Sequence, residues 1–166
     1  YKRGIDFVNI PTTLLSIIDA SIGSKTGVNF NQLKNNIGTF TDPKLVIIDK
    51  KYLETLDEKN LKSGYAEIFK HSLISGKLFV KLLSDPKIIY NHEIIYNSIN
   101  VKNNIVLRDR EESNLRKSLN FGHTIGHAYE SLKMKKKDKL LHGEAIAAGM
   151  IICLLYTSPS PRDNSG

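Results

Sequence analysis

Residues 120–127 read NFGHTIGH, which places His123 and His127 four residues apart in a segment with helical periodicity. In an α-helix, side chains at i and i+4 lie on one face, so both imidazoles can point toward one metal ion or substrate. An arbitrary pair at this spacing is more often two helix histidines satisfied by hydrogen bonds. Here Gly122 and Gly126 lower helix propensity, which favours close approach of a ligand or another helix.

Two further groups could complete a metal site around this stretch. His142 lies in LLHGE, residues 140–144, where a following helix would begin, and Glu67 lies in the helical segment GYAEIFK, residues 64–70. Two histidines and a carboxylate would supply the three protein ligands of a catalytic zinc site and leave one position for a substrate oxygen. Spacing alone does not say which of the histidines binds.

The first third of the chain carries the strand signals. Residues 7–10, followed by Pro11, predict a strand that runs into a loop. Residues 44–49, KLVIID, predict a short buried strand that completes a sheet. These strands precede a predicted domain boundary near Leu56.

The remainder of the chain predicts helices, with no internal repeat. Helical spacing of apolar residues begins at Asp57 and recurs in about 92–110, 116–132 and 145–155. Residues 156–166 are polar and interrupted by proline, and we interpret them as a non-native tail. The predicted organisation is therefore 1–56, 57–155 and the tail 156–166.

Composition indicates a globular protein. Hydrophobic residues make up 40% of the 166-residue chain, which suffices for an ordinary core. No segment approaches the roughly 18 apolar residues of a membrane span, and the first residues lack a signal-peptide pattern, so we expect a cytoplasmic protein with no membrane partner. The single cysteine, Cys153, excludes a disulfide framework and a multi-thiolate zinc site.

The formal charge of +7 fits either a nucleic-acid binder or a protein with an anionic substrate. The lysines are scattered, aromatic residues do not interleave them, and the one dense cluster, 133–139, is typical of a solvated loop. We therefore expect no nucleic-acid partner. A P-loop is also excluded around Lys25, because Ser24 and Asp19 occupy the positions where that motif needs glycine.

Several short motifs occur together in a fixed order. They are RGI (3–5), PTTLL (11–15), DASIGSKTG (19–27), KN (34–35), AEIFK (66–70), Arg116, NFGHTIGH (120–127) and LHGE (141–144). In order and spacing this set resembles the 3-dehydroquinate synthase family, from Tyr1 to about Leu155. The resemblance implies the last part of an α/β nucleotide-binding domain followed by an α-helical metal-binding domain, and we expect an internal fragment.

The resemblance also implies roles for individual residues. The metal ligands correspond to Glu67, His123 and His142, and His127 becomes a substrate-side residue that handles protons. The implied catalytic residues are His127, Lys70, Lys102, Asn120 and Arg116.

The same resemblance implies two binding sets. The substrate-binding set is Asp19, Lys25, Asn35, Lys70, Lys102, Arg116, Asn120 and His127, with Arg3 as a phosphate contact supplied across a homodimer interface. The NAD-facing set is Thr12, Thr13, Asp19, Lys25, Lys34, Tyr52, Leu53, Glu54 and Thr55.

The implied reaction converts the phosphorylated keto acid DAHP into 3-dehydroquinate and phosphate in the shikimate pathway. NAD is used and regenerated, and Zn²⁺, Co²⁺ or another divalent ion acts as a Lewis acid. We expect this fragment to be inactive by itself. The alternatives are another NAD- and metal-dependent sugar-phosphate cyclase, a polyol dehydrogenase relative and, from a different class, a basic nucleic-acid-binding module.

Two residues depart from the pattern of the family. Ser24 precedes Lys25, and Leu33 precedes Lys34, where the family usually has glycine. Neither departure removes a charged group, so both bear on backbone geometry and cofactor fit more than on chemistry.

Overall fold

The computed structural model describes residues 4–31, 33–76, 90–134 and 140–157. In these ranges short strands and turns come first and four α-helices follow. The strands are β1 (Val8–Asn9), β2 (Val28–Phe30), β3 (Leu33–Ile37) and β4 (Leu45–Val46). The helices are α1 (Glu58–Ser75), α2 (His92–Arg108), α3 (His123–Met134) and α4 (His142–Thr157).

The two predicted strands pair with each other. β1 and β4 are parallel, with Val8 opposite Leu45 and Asn9 opposite Val46. Each strand is only two residues long, shorter than the apolar pattern predicted. The predicted strand type is confirmed, but the predicted burial of residues 44–49 is wrong, because Leu45, Ile47 and Ile48 are exposed. The pairing brings residues 8–9 beside the segment that leads into the helices.

A β-hairpin between these strands was not predicted. β2 and β3 are antiparallel, Val28 pairs with Ile37, and an isolated bridge between Lys25 and Phe40 extends the ladder. The sequence of β3, LKNNI, lacks the alternation of apolar and polar residues that identifies a half-buried strand. β3 is therefore a strand because its backbone pairs with β2, although its own sequence carries no strand pattern.

One apolar core joins the first third of the chain to the helices. Leu14, Ile17, Ile18 and Leu53 are fully buried and pack with residues of α1 and α2. The residues contributed by the two helices are Leu61, Ile68, Ile94 and Ile95. This core holds a short π-helical turn, Ser16–Ala20, against α1 and α2. The described residues on both sides of the predicted boundary near Leu56 therefore share one core, and the division into domains stays a prediction.

Side-chain caps fix where the first two helices begin. The Asp57 side chain accepts a hydrogen bond from the Asn60 backbone N–H at 2.9 Å, and Asn91 does the same for Glu93 at 2.9 Å. α1 ends at Gly76, which has φ 66° and so adopts the left-handed conformation typical of a helix C-terminus. These ends set the axial position of Glu67 on α1 and of Lys102 on α2.

α3 and α4 pack at backbone distance because glycines line their contact. A Cβ atom at Gly149 would lie 2.1 Å from the Gly122 carbonyl oxygen, and one at Gly126 would lie 2.9 Å from the Ala145 carbonyl oxygen. Gly143 similarly fits against Ser63 of α1, where a Cβ would lie 2.1 Å from the carbonyl oxygen. The close approach that Gly122 and Gly126 suggested is therefore an approach of another helix.

The predicted helix 116–132 is wrong in its first part. Residues Leu115–Asn120 form a 3₁₀ helix, the chain turns at Gly122 with φ 77°, and α3 starts at His123. The turn is where Gly122 meets α4, so packing interrupts a pattern that the sequence presents as continuous. The predicted start of a helix at His142 is confirmed.

Some predicted features end differently or lie outside the described ranges. α4 continues through Tyr156 and Thr157, which the sequence places in the polar tail. Lys133 belongs to α3 rather than to the predicted basic loop. Residues 135–139 and 158–166 lie outside the described residues. Within the described ranges, every helix is too short or too polar to cross a membrane.

Candidate active site

Glu67, His123 and His142 converge from three helices, and we call them the carboxylate–histidine cluster. Glu67 Oε1 lies 3.8 Å from His123 Nε2 and 3.6 Å from His142 Nε2. Glu67 is fully buried on α1, and the two histidines are the first residues of α3 and α4. Because α3 and α4 meet through glycines, their N-terminal ends lie close enough to bring both rings to the one carboxylate.

The other ring nitrogen of each histidine is held by a separate partner. His123 Nδ1 donates to the Phe121 carbonyl oxygen at 3.2 Å, and His142 Nδ1 lies 3.4 Å from Glu130 Oε2. A carbonyl or carboxylate partner favours a proton on Nδ1 and leaves the Nε2 lone pair open. Both Nε2 atoms are thus oriented as metal-ligand atoms toward Glu67.

His127 brings a third imidazole to the same place. Its ring centroid lies 5.2 Å from that of His123 and 5.6 Å from that of His142, and one ring nitrogen of each histidine lies within 4.8 Å of the others. His127 is exposed, whereas His123 and His142 are partly buried. The close approaches to Glu67 Oε1 involve His123 and His142.

Burial dominates the electrostatics of the cluster. It raises the pKa of Glu67, against the opposing effect of Lys70, whose ammonium forms an ion pair with Glu67 Oε2. Burial, with the charge of Lys70, lowers the pKa of His123 to about 3, so this ring is neutral near pH 7. Neutral imidazole is the form that binds metal ions.

The two histidines of the cluster, His123 and His142, line a cavity of about 760 Å³. Every predicted substrate-binding residue except Arg3 lines this cavity: Asp19, Lys25, Asn35, Lys70, Lys102, Arg116, Asn120 and His127. These residues come from the π-helical turn, the hairpin, α1, α2, the 3₁₀ helix before α3, and α3 itself. Arg3 lies outside the described residues.

Asp19 and Lys102 form a partly buried ion pair in the cavity wall. Lys102 Nζ donates to both the backbone oxygen and Oδ1 of Asp19, each at 2.6 Å. Burial by itself would raise the pKa of Asp19, but the charges of Lys102 and Lys70 hold it well below its usual range. Burial lowers the pKa of Lys102, and Asp19 partly opposes this. The pair ties α2 to the π-helical turn.

Arg116 is almost fully buried, and much of its guanidinium contacts the protein's own backbone. Nη1 donates to the Arg110 carbonyl oxygen at 2.5 Å and Nη2 to the Gly23 carbonyl oxygen at 2.6 Å. Arg116, in the 3₁₀ helix, thus links the loop at Arg110 to the loop that carries Lys25. The implied substrate-binding role of Arg116 is therefore shared with a structural role.

Glu112 is a cavity residue that the sequence interpretation missed. Its carboxylate forms an ion pair with Lys25 and accepts a hydrogen bond from the Asn120 side chain. The residue has φ 61°, in a loop tied together by Asp109, which accepts backbone hydrogen bonds from Ser113, Asn114 and Arg116 at 2.8–2.9 Å. No spacing pattern marks Glu112, because only this loop conformation turns it inward.

The predicted NAD-facing residues outside the cavity have varied environments. Thr12 is exposed, and Thr13 forms a local turn in which its Oγ1 lies 2.8 Å from Ser16 Oγ. Leu53 is fully buried in the core, while Tyr52, Glu54 and Thr55 are exposed. The side chain of Lys34 lies outside the described part. These NAD contacts stay predictions.

The first departure from the family pattern has a visible structural consequence. Ser24 has φ 60°, a left-handed conformation that glycine adopts with less strain than serine. Its hydroxyl donates to the Gly23 carbonyl oxygen at 2.7 Å. The loop that presents Lys25 thus keeps a glycine-like backbone with a non-glycine residue.

Two family models together span most of the chain. The one described as 3-dehydroquinate synthase N-terminal matches residues 1–63, and the one described as 3-dehydroquinate synthase C-terminal matches residues 64–159. The change from one to the other falls within α1, close to the boundary predicted near Leu56.

Curated relatives have the same description. A 3-dehydroquinate synthase of Parabacteroides distasonis is 48% identical over 163 residues, which cover 95% of this chain and 46% of the relative. One from Helicobacter pylori strain P12 is 48% identical over 152 residues, covering 90% of this chain and 43% of the relative. The chain thus spans less than half the length of these relatives.

Solved structures share the fold. The 2-epi-5-epi-valiolone synthase of Streptomyces hygroscopicus subsp. jinggangensis 5008, with NAD⁺ and Zn²⁺ bound, has a TM-score of 0.76 at 33% identity, covering 90% of this chain and 43% of that one. A 2-deoxy-scyllo-inosose synthase complexed with carbaglucose-6-phosphate, NAD⁺ and Co²⁺ has a TM-score of 0.77 at 31% identity, covering 91% of this chain and 42% of that one.

Proposed function

The chain belongs to the 3-dehydroquinate synthase family, and on that premise we propose that it supplies the metal- and substrate-binding side of an enzyme that converts DAHP into 3-dehydroquinate and phosphate. One observation carries the proposal. His123 and His142, whose Nε2 atoms lie within 3.8 Å of Glu67 Oε1, line a single cavity that four cationic side chains also line. We call these four, Lys25, Lys70, Lys102 and Arg116, the cation cluster.

The carboxylate–histidine cluster fits a divalent ion such as Zn²⁺. Ligands about 2.1 Å from a tetrahedral zinc ion lie roughly 3.4 Å from one another. The separations of 3.6 and 3.8 Å from Glu67 Oε1 to the two Nε2 atoms are close to this value. Oε1 is buried and accepts no hydrogen bond from the described residues, which supports a role as a metal ligand.

When bound, the metal would act as a Lewis acid on a substrate hydroxyl and favour its oxidation by NAD. The chain's own contribution is to hold three ligand atoms before the ion arrives. His123 and His142 are oriented through Nδ1, and Glu67 is fixed on α1 by its burial and by Lys70. Little reorganisation is then needed on binding.

The cation cluster supports an anionic substrate. Lys25 and Lys102 carry compact charges, and Arg116 offers a planar group that is favoured by carboxylates and phosphates. Burial lowers the pKa of Lys25, and the charges of Arg116 and Lys102 lower it further. A phosphorylated acid bound beside Lys25 would offset the effect of these two charges, which supports an anionic substrate.

His127 and Lys70 are the residues best placed to handle protons. His127 is exposed, next to the carboxylate–histidine cluster, so a bound substrate can exchange a proton with its ring. Lys70 is 1% exposed and lies between Glu67 and the cavity, where its charge can stabilise a developing oxyanion. Asn120 would orient the substrate by hydrogen bonds.

The NAD-facing residues and the partner contacts belong to the same proposal. Two structural neighbours bind NAD⁺ with a divalent metal, which supports NAD as the cofactor here. We further propose a cytoplasmic homodimer in which Arg3 reaches the substrate phosphate of the other subunit. Crosslinking of an Arg3→Cys variant across the dimer would test this contact.

A chimaera tests the reaction. Residues 1–155 would replace the matching residues of the Parabacteroides distasonis relative, and phosphate release from DAHP would be measured with and without NAD and Zn²⁺. We expect activity that needs both cofactors and that a Glu67→Ala change in the chimaera abolishes. A folded chimaera with no phosphate release from DAHP would refute the proposal.

The rival within enzymes is another sugar-phosphate cyclase, since the neighbours are 2-epi-5-epi-valiolone and 2-deoxy-scyllo-inosose synthases. A panel that adds glucose 6-phosphate and sedoheptulose 7-phosphate to DAHP separates these activities. Turnover of a neutral-sugar phosphate in preference to DAHP would favour the rival.

A further inference from the structure

Glu112 is a charged residue of the cavity wall to which the proposed reaction gives no role. It lies in the loop 109–114, between α2 and the 3₁₀ helix, and both of its carboxylate oxygens are engaged. Oε2 forms an ion pair with Lys25, and Oε1 accepts a hydrogen bond from the Asn120 side chain. Both partners line the cavity and belong to the predicted substrate-binding set. Glu112 therefore joins two candidate substrate contacts that come from separate segments of the chain.

The backbone of the 109–114 loop is held firmly around Glu112. The Asp109 carboxylate accepts hydrogen bonds from the backbone N–H groups of Ser113, Asn114 and Arg116 at 2.8–2.9 Å, and from the Ser113 hydroxyl at 3.0 Å. Within this loop Glu112 has φ 61°, a left-handed conformation that a non-glycine residue keeps when its surroundings enforce it. The side chain of Glu112 therefore extends into the cavity wall from a fixed point.

Lys25 is the less constrained member of the ion pair. Its side chain is 47% exposed, whereas that of Glu112 is 18% exposed. A half-exposed lysine has a long flexible stem, and ordering that stem costs rotamer entropy. A fixed carboxylate beside the ammonium favours the rotamers that keep the charge at the cavity. The geometry thus makes Glu112 the group that holds and Lys25 the group that is held.

The contacts with Glu112 leave donors available for a ligand. An ammonium group has three N–H donors, and a side-chain amide has two. One donor of Lys25 and one of Asn120 are used by the two Glu112 oxygens. Phosphate and carboxylate oxygens are strong acceptors for the remaining donors. A substrate can therefore bind both residues while Glu112 stays in place.

We propose that Glu112 is a positioning residue, which orients the Lys25 ammonium and the Asn120 amide so that their remaining N–H groups face an anionic substrate. The effect on turnover rests on the proposed function, whereas the hold on Lys25 rests on the loop geometry. The rival role is that of a counter-charge to the cation cluster. The two roles predict opposite results, because removal of a counter-charge would strengthen the binding of an anion, and loss of a positioning residue would weaken it.

A second ion pair supplies a matched control. Arg110 Nη2, in the same loop, lies 2.5 Å from Asp42 Oδ2, just after the hairpin, and both side chains are more than half exposed. Asp42→Asn breaks this link between loop and hairpin but leaves Glu112 with both of its partners. A role of Glu112 in merely tying the loop to the hairpin would make the two variants behave alike.

The order of Lys25 is measured first, in the 166-residue chain without ligand. ¹H–¹⁵N spectra of the lysine ammonium groups, assigned with a Lys25→Arg variant, report how freely each side chain moves. We expect the Lys25 ammonium to become more mobile in Glu112→Gln and to keep its order in Asp42→Asn. Equal mobility of Lys25 in the parent and in Glu112→Gln would overturn the proposal.

Steady-state kinetics of the chimaera then test the consequence for the substrate. In Glu112→Gln we expect KM for DAHP to rise roughly 10-fold, the size of one charged hydrogen bond, with kcat within about 3-fold of the parent. Asp42→Asn should stay within about 2-fold in both constants, since exposed ion pairs contribute little. An unchanged or lower KM in Glu112→Gln, or an equal rise in both variants, would overturn the positioning role.

Glu112→Asp gives an independent comparison should the glutamine variant unfold, which circular dichroism would show. This variant keeps the negative charge but draws it back by one methylene group, so a counter-charge role predicts the parent KM and a positioning role predicts a higher one. A folded parent chimaera that releases no phosphate would refute the proposed function. The mobility of Lys25 in the chain would still decide whether Glu112 holds it.

Discussion

The histidines of the carboxylate–histidine cluster line the same cavity as the cation cluster, but the two clusters are built in different ways. Glu67, His123 and His142 lie on helices that meet at backbone distance. The Nδ1 atoms of the two histidines are held by the Phe121 carbonyl and the Glu130 carboxylate. The cation cluster depends more on loops: Lys25 is half exposed, and Arg116 spans two loops. Helix packing thus organises the metal donors in advance, whereas the anion-binding groups are held by the protein's own carbonyls and carboxylates.

Removing the charge of the shared carboxylate should have the largest effect. Glu67→Gln keeps the shape of the side chain but removes the anionic ligand that both Nε2 atoms approach. We expect Zn²⁺ affinity to fall by more than about 100-fold, since direct ligands exceed the roughly 10–100-fold effect of outer groups. Isothermal titration of the chain measures the loss. Glu58→Gln, on the exposed start of α1, is the control and should bind like the parent.

Breaking the close helix contact should come next. Gly143→Ala places a Cβ 2.1 Å from the Ser63 carbonyl oxygen, so α4 must move and carry His142 with it. Overpacking of this kind costs about 1–3 kcal/mol. Urea unfolding should show that loss, with weaker Zn²⁺ binding. Ala128→Ser, at an exposed position of α3, changes size without such a contact, and an equal loss there would contradict the packing explanation.

Removing the charge behind one histidine should have a smaller effect on the metal. Glu130 Oε2 lies 3.4 Å from His142 Nδ1, and Glu130→Gln replaces the carboxylate by a neutral amide. We expect Zn²⁺ affinity to fall by roughly 10-fold. Unchanged affinity in the chelator competition assay would show that His142 is oriented by its helix alone.

The stability of the loop that carries Asp109 and Glu112 should fall in acid. Hydrogen bonds from the Arg116 and Asn114 backbones, among others, hold the pKa of Asp109 below its usual range. Because the folded pKa is the lower one, Asp109 stabilises the fold above its ordinary pKa of 3.8, and this contribution is lost as the pH falls below that value. Asp109→Asn should unfold with a shallower dependence on pH between about 4 and 2. An unchanged slope would contradict this.

The candidate metal ligands could be predicted from the sequence because they lie on regular helices. The spacing of His123 and His127, the predicted helix start at His142 and the helical segment around Glu67 all follow from periodicity. Periodicity alone left the choice of histidine open, and resemblance was needed to select His142 over His127. The assignment stays a prediction, which the distances to Glu67 support.

Other site residues carried no usable pattern. Glu112 reaches the cavity because its own backbone is left-handed, and Glu130 contacts His142 on another helix. The β2–β3 hairpin was missed because its polar strands are specified by pairing rather than by burial. The break before α3 was missed because the contact of Gly122 with Met150 of α4 produces it.

The sequence by itself determined the helical character of residues after Asp57, the types of the first and last strands, and a histidine–carboxylate set suited to a metal. These follow from local periodicity and residue chemistry, which each segment carries alone. Only the tertiary structure decided that Glu67 meets both Nε2 atoms and that loop and helix cations line one cavity with His123 and His142. The physical reason is that such contacts depend on how closely separate helices approach, and here glycines at the contacts of α3 and α4 set that distance.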